Sequence, residues 1–236
     1  MKLRGPLLFL SLLLTACPND KPIVPIPGPV AQLQRFEDAD NQGQFSSIAN
    51  TAVNSDCQPG GSGSEACPAL LAVHGRACLR TARAEAAPGA ACPGPTDTSK
   101  RMLDCAIGDL GAAAAAGKLD ADKLAGVRRN RAEALYCSAT FKDATTGGPL
   151  AAQAEGELAQ TPKSAETMML TARAALYFAA RPAFPKDQRC AAVKRASDAA
   201  AAGLQQKAQT ATTAEALPKL QSDSASWAKR IPCTGG

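Results

Sequence analysis

The sequence predicts an all-α protein of antiparallel helical hairpins, arranged as a repeat array or an α-bundle and cross-linked by disulfides. Alanine runs are long and aromatic residues are few, with one Trp, two Tyr and six Phe, which favours closely packed helices over strands. Apolar residues recur at helical spacing along most of the chain. The chain has nine cysteines, one histidine and no C-x-x-C motif. Disulfides are therefore favoured over metal or haem sites.

The first sixteen residues have the order of an export signal. Lys2 and Arg4 precede an apolar run over 7–14, and two small residues then lead to Cys17. The run is too short to span a membrane, which needs about 20 apolar residues. This order resembles the lipobox of bacterial lipoprotein signal peptides, and the resemblance implies that residues 1–16 are removed.

The lipobox resemblance also implies a membrane anchor and a location. In that family the cysteine thiol, here that of Cys17, receives a diacylglyceryl group, and the new N-terminus is acylated. Acyl chains contribute about 0.8 kcal/mol per buried methylene, so two or three of them hold a protein on a bilayer. Pro18 rather than aspartate follows the cysteine, which implies the outer membrane, with the folded part in the periplasm or on the cell surface.

A proline-rich tether is predicted over 17–32. Five prolines between 18 and 30 exclude a helix and favour an extended polyproline conformation of about 3.1 Å per residue. Residues 33–65 are predicted as an N-terminal helix, with apolar residues at helical spacing from Phe45 to Val53, followed by a Gly/Ser loop.

Residues 66–236 are predicted to form the helical domain. Glycine and proline separate its amphipathic runs, and the stretch 145–149 is predicted as a turn. Thr212 and Glu215 have the spacing of a capping box, while Pro218 delays the predicted start of the last helix. Helices are predicted over 66–86, 98–117, 123–140, 150–159, 163–181, 187–204 and 219–231.

Parts of this domain resemble each other. Thr-Ala-Arg-Ala occurs at 81–84 and again at 171–174, and a Cys-Ala pair with an alanine run and a glycine occurs over 105–117 and again over 190–203. Helix pairs with short loops and weak self-similarity are typical of helical-hairpin repeats. The chain resembles a degenerate tetratricopeptide-type array over 66–232. Because the consensus aromatics are missing, an unrelated α-bundle is the alternative.

The cysteines are predicted to form four disulfides, because eight remain once Cys17 carries lipid and the protein is exported. On the repeat, Cys190 faces Cys233 across a hairpin, and Cys105, which corresponds to Cys190, pairs with Cys137. The predicted pairs are Cys57–Cys67, Cys78–Cys92, Cys105–Cys137 and Cys190–Cys233. A rival set, which fits the first hairpin nearly as well, has Cys78–Cys105 and Cys92–Cys137.

The candidate binding residues are arginines, and the spacing of Arg76, Arg80 and Arg83 places these three on one face of the predicted helix 66–86. The tetratricopeptide resemblance implies that they line a concave groove and take carboxylates of a peptide through bidentate contacts; the alternative is a solvated face. The sole histidine, His74, lies on an apolar helix face and is predicted to be structural. The candidate ligand-binding residues are Arg76, Arg80, Arg83, Arg128, Arg131 and Arg173.

No catalytic motif is present, so the protein is predicted not to be an enzyme, with no metal and no cofactor. Lys2 and Arg4 would leave with the signal peptide, so 24 of the 26 basic side chains remain against 21 acidic ones. This balance of +3 is too weak to indicate nucleic acid. The expected function is that of a lipid-anchored cell-envelope scaffold or assembly module that binds a protein or peptide. The alternative is a binding protein for an anionic small or polymeric envelope ligand.

Overall fold

The structure is a computed structural model that describes residues 28–207 and 210–233. The predicted signal peptide, Cys17 and the tether as far as residue 27 lie outside the described residues. Within those two ranges the chain is helical and contains no strand, which confirms the all-α prediction. No described helix has both the length and the apolar character that crossing a bilayer requires. The helices are α1 (Pro29–Asn41), α2 (Phe45–Ala49), α3 (Cys67–Arg83), α4 (Asp97–Ala115), α5 (Ala121–Thr140), α6 (Ala144–Ala159), α7 (Ala165–Ala179), α8 (Lys186–Leu204) and α9 (Ala211–Arg230).

Consecutive helices pack on one another as hairpins, with α3 on α4, α5 on α6 and α7 on α8. The odd-numbered helices α3, α5, α7 and α9 also pack on one another in chain order. They therefore form one layer, called the inner layer below. Helices α1 and α2 pack on α3 and extend that end of the molecule.

Alanine supplies much of the contact between helices. Ala77 and Ala82 of α3 and Ala106 and Ala113 of α4 are completely buried, as is Leu110 of α4. Small side chains allow helix axes to approach closely, and the four disulfides offset the modest apolar area that each methyl buries.

Helices α1 and α6 begin earlier than predicted. Helix α1 begins at Pro29. A proline is tolerated there because the N–H groups of the first turn have no acceptor within the helix, so its missing N–H costs no hydrogen bond. The predicted tether is therefore wrong over 29–32. Helix α6 begins at Ala144, so the turn predicted over 145–149 is wrong. The side chain of Asp143 caps it by accepting from the Thr146 N–H at 2.8 Å.

Helix α9 also begins earlier than predicted and has a different cap. Thr210 accepts from the Thr213 N–H at 3.2 Å, and the Thr213 hydroxyl accepts from the Thr210 N–H at 2.9 Å. This reciprocal pair replaces the predicted box of Thr212 and Glu215. Pro218 lies inside the helix on its exposed side, where water can satisfy the carbonyl that loses its partner.

Two of the four predicted disulfides are confirmed and two are wrong. The confirmed pairs are Cys57–Cys67 and Cys190–Cys233. The predicted pairs Cys78–Cys92 and Cys105–Cys137 are wrong. The rival set, Cys78–Cys105 and Cys92–Cys137, is the observed one.

The error concerns the face of α4 that carries Cys105. This cysteine lies on the side packed against α3, where its Cα is 6.1 Å from that of Cys78. Cys92 lies in the loop between α3 and α4 and reaches the last turn of α5, with its Cα 5.3 Å from that of Cys137. A repeat identifies the helix that carries a residue, but not which neighbouring helix the residue faces.

Two glycines of α6 should respond to alanine in opposite directions. A Cβ at Gly147 would lie against the Tyr177 hydroxyl and 2.7 Å from the Ala139 carbonyl oxygen, whereas no atom of the described residues lies within 4 Å of a Cβ at Gly156. Gly147→Ala should lower the free energy of unfolding by about 1–3 kcal/mol through overpacking. Gly156→Ala should raise it by up to about 1 kcal/mol through helix propensity.

Urea denaturation of the two variants at matched concentration measures both effects. Each substitution adds the same methyl to the same helix, so they control for each other. Shifts of the same sign and size would contradict the close α6–α7 approach at Gly147.

Candidate functional site

Among the described residues, the inner layer borders a cavity at each of two places. The α3/α5 groove, between α1, α3 and α5, has a volume of about 780 Å³. The α7/α9 cavity, between α5, α7 and α9, has a volume of about 710 Å³. Both fall in the range of about 300–1,000 Å³ that is typical of ligand sites.

Three predicted arginines line the α3/α5 groove. Arg76, Arg80 and Arg83 follow one another on one side of α3, as their spacing predicts. Arg76 Nη2 lies 2.6 Å from Asp40 Oδ2 of α1. The Arg80 guanidinium lies 4.8 Å from the centroid of the Phe45 ring, a cation–π contact. Within the described residues, Arg80 has no carboxylate partner, and its side chain is exposed.

Arg83 is held by a buried acid. Its guanidinium makes a two-point contact with the Glu133 carboxylate, whose side chain is only 5% exposed. Burial lowers the pKa of Arg83, and the nearby Glu166 carboxylate opposes this shift. Other cations repel it and lower its pKa further: Arg80, Arg173 and Arg129. The arginines of the inner layer are therefore close enough to interact.

Helix α5 divides its arginines between two faces. Arg128 and Arg131, three residues apart, share a face and pair with Glu157 of α6. They line neither cavity, so the prediction that they belong to the groove is wrong. Arg129 points about 100° away from Arg128. It lines the α3/α5 groove and pairs with Glu166 at 2.9 Å. Arg129 was not among the predicted binding residues.

The sixth predicted arginine, Arg173, lines the other cavity. Within the described residues it makes no ion pair or hydrogen bond, and burial lowers its pKa. Tyr136 and Tyr177 line the same cavity, as does Trp227. These are both tyrosines and the one tryptophan of the chain. Arg181 stacks on Tyr177, with its guanidinium carbon 3.6 Å from the ring centroid.

The candidate list missed these aromatic residues, although the sequence carries a signal for two of them. Tyr136 and Tyr177 each end an Ala-Leu-Tyr tripeptide in helices that show the internal repeat. Equivalent positions in successive hairpins project from the same face of an array. Trp227 carries no comparable signal, because α9 has no repeated counterpart among the matched stretches.

His74, which was predicted to be structural, is buried and has a carboxylate partner. Its Nδ1 lies 2.5 Å from Asp109 Oδ2 of α4, and its ring stacks on Phe36 of α1 with centroids 5.8 Å apart. The sulfurs of Cys78 and Cys105 and a ring nitrogen of His74 lie within 4.8 Å of one another. Both sulfurs are bonded to each other, so neither is available as the thiolate that zinc requires.

No protein-family model, curated protein or solved structure matches this chain.

Proposed function

We propose that this protein is a lipid-anchored, non-enzymatic binding module of the bacterial cell envelope. Its tetratricopeptide-like inner layer binds an acidic segment of a partner protein in the α3/α5 groove. The observation that carries the proposal is the set of arginines that line this groove, Arg76, Arg80 and Arg83 of α3 and Arg129 of α5, in which Arg80 is exposed and has no carboxylate partner in the described residues.

Like charges placed together cost stability unless an anion joins them. The groove already contains acids that neutralise part of this charge, since Asp40 pairs with Arg76 and Glu166 pairs with Arg129. A partner's carboxylate can use Arg80 directly and can exchange with the acids at the rim. Such exchange suits an extended peptide segment, whose side chains alternate along a groove.

The cysteine count supports the anchor. The eight cysteines of the described residues form four disulfides, a number typical of exported proteins. The ninth is Cys17, the position that the lipobox assigns to the lipid.

Partner capture from detergent-solubilised membranes tests the proposal. Wild type should retain a stoichiometric protein, and Arg80→Glu should lose it because the charge at the groove is reversed. Arg101→Glu is the matched control, since Arg101 is also exposed but lies on α4. A Cys17→Ser variant should leave the membrane fraction and carry no acyl chain.

Equal capture by Arg80→Glu and wild type would contradict the proposal that the partner binds in the α3/α5 groove. Loss of capture by both charge reversals would indicate a general charge effect instead. Membrane retention of Cys17→Ser would contradict the lipid anchor.

A further inference from the structure

We infer that the α7/α9 cavity is a separate binding site for a small organic monoanion, a carboxylate attached to a flat aromatic body. This site is independent of the peptide groove. The carrying observation is that Arg173 and Tyr136, which have no hydrogen-bond or ion-pair partner among the described residues, converge on one cavity with Trp227.

Arg173 supplies the anion contact. It is half-buried, and among the described residues nothing neutralises it. Native proteins rarely bury an arginine without a partner, because the guanidinium then loses hydration without compensation. Its planar fork matches the two oxygens of a carboxylate.

Tyr136 supplies a second polar contact. Burial raises the pKa of its phenol, and the nearby Arg173 and Arg181 partly oppose that shift. The phenol is therefore protonated at neutral pH. Its O–H has no acceptor among the described residues, so it can donate to an anion held by Arg173.

The remaining charges limit the ligand to a single negative charge. Lys219 and Asp223 on the wall neutralise each other, with Nζ 2.9 Å from Oδ2. Arg181, which stacks on Tyr177, and the exposed Glu215 also line the cavity and carry opposite charges, but they form no ion pair among the described residues. The lining therefore has three cations, Arg173, Arg181 and Lys219, and two carboxylates, Glu215 and Asp223, which leaves a net charge of +1. A dianion such as a phosphate monoester would bring one charge that the wall does not match.

The apolar part of the wall fits a flat ring. Tyr136 and Trp227, both half-buried, present aromatic surface, and Leu176 and Leu220 add aliphatic surface. An aromatic ring gains offset or edge-on contacts with such walls in addition to the area it buries.

Titration with 2-naphthoate tests the site, observed through the indole N–H resonance of the chain's one tryptophan. The expected Kd is on the order of 0.1–1 mM for a ligand of this size. The neutral analogue 2-naphthamide and the ringless anion acetate should each bind at least about tenfold more weakly, because each lacks one half of the recognition.

Two variants test whether 2-naphthoate binds in the α7/α9 cavity. Arg173→Gln should weaken 2-naphthoate about tenfold or more, and Tyr136→Phe, which removes only the hydroxyl, should weaken it about fivefold. Arg101→Gln on α4 is the control and should leave the Kd unchanged. Arg80→Glu should also leave it unchanged, so this test and the partner capture can fail separately.

Three results would overturn the inference. Equal affinity for 2-naphthamide would show that the anion contact contributes nothing. Unchanged affinity in both cavity variants would place the probe elsewhere. The absence of a saturable shift up to about 10 mM, far above the Kd expected from ligand size, would show that no such site exists.

Discussion

Replacing Cys92 and Cys137 together by serine should lower the free energy of unfolding by about 4 kcal/mol. This disulfide spans 45 residues, the longest separation of the four. In the chain-entropy account, a cross-link stabilises by restricting the unfolded chain, and the effect grows with loop length. The disulfide also ties the α3–α4 loop to the last turn of α5, a connection that none of the other three disulfides of the described residues makes.

The Cys57/Cys67 double serine variant is the matched comparison. Its disulfide spans 10 residues, and the same relation predicts a loss of about 3 kcal/mol. Urea denaturation of both variants measures the difference, and non-reducing peptide mapping of wild type tests the pairing. A linked peptide containing Cys78 and Cys92 would contradict the structure, and equal losses would contradict the loop-length argument.

Arg83→Met should lower the free energy of unfolding by about 3 kcal/mol at neutral pH. The substitution keeps the apolar stem of the side chain but leaves the Glu133 carboxylate, which is 5% exposed, without its cation. The value is at the low end for a buried pair because Arg83 itself is 40% exposed, so water screens part of the interaction.

The loss in Arg83→Met should shrink as the pH falls. A buried carboxylate without a cation has a raised pKa in the folded state, because burial disfavours the charged form. Protonation therefore stabilises the folded variant once the pH falls below that pKa, and the cost is largest above it. The double variant Arg83→Met/Glu133→Met should recover most of the stability, because neither charge is then buried alone.

Arg195→Met provides the surface comparison. Arg195 pairs with Glu155 at 3.1 Å, but its side chain is 44% exposed and that of Glu155 is 23% exposed. This substitution should cost at most about 1 kcal/mol and respond little to pH. A cost equal to that of Arg83→Met, or no recovery in the double variant, would contradict the role assigned to Glu133.

The candidate site was partly predictable from the helix period. Arg76, Arg80 and Arg83 were placed on one face by their spacing, and the structure brings all three to the same groove. Arg128 and Arg131 were grouped with them because they are also basic, but both form ion pairs with Glu157 of the next helix. Spacing determines which residues share a face, but the partner helix determines whether that face is open.

The starts of α6 and α9 likewise depend on both local sequence and tertiary packing. Thr210 and Asp143 begin helices that contain a proline, and a local pattern would end both helices at that proline. The tertiary structure compensates for the lost hydrogen bond, because the other residues of α6 and α9 bury apolar faces against α7 and α8.

The sequence by itself determined that this protein is helical, because alanine content and apolar period act within a single helix. The confirmed Cys57–Cys67 pair closes a short loop, so it too depends on local chain geometry. Only the tertiary structure decided that Cys105 joins Cys78, and that Arg173 lines one cavity with both tyrosines and the tryptophan while it forms no ion pair among the described residues. These outcomes depend on the rotation of each helix against its neighbours, which is set by side-chain packing between segments distant in sequence.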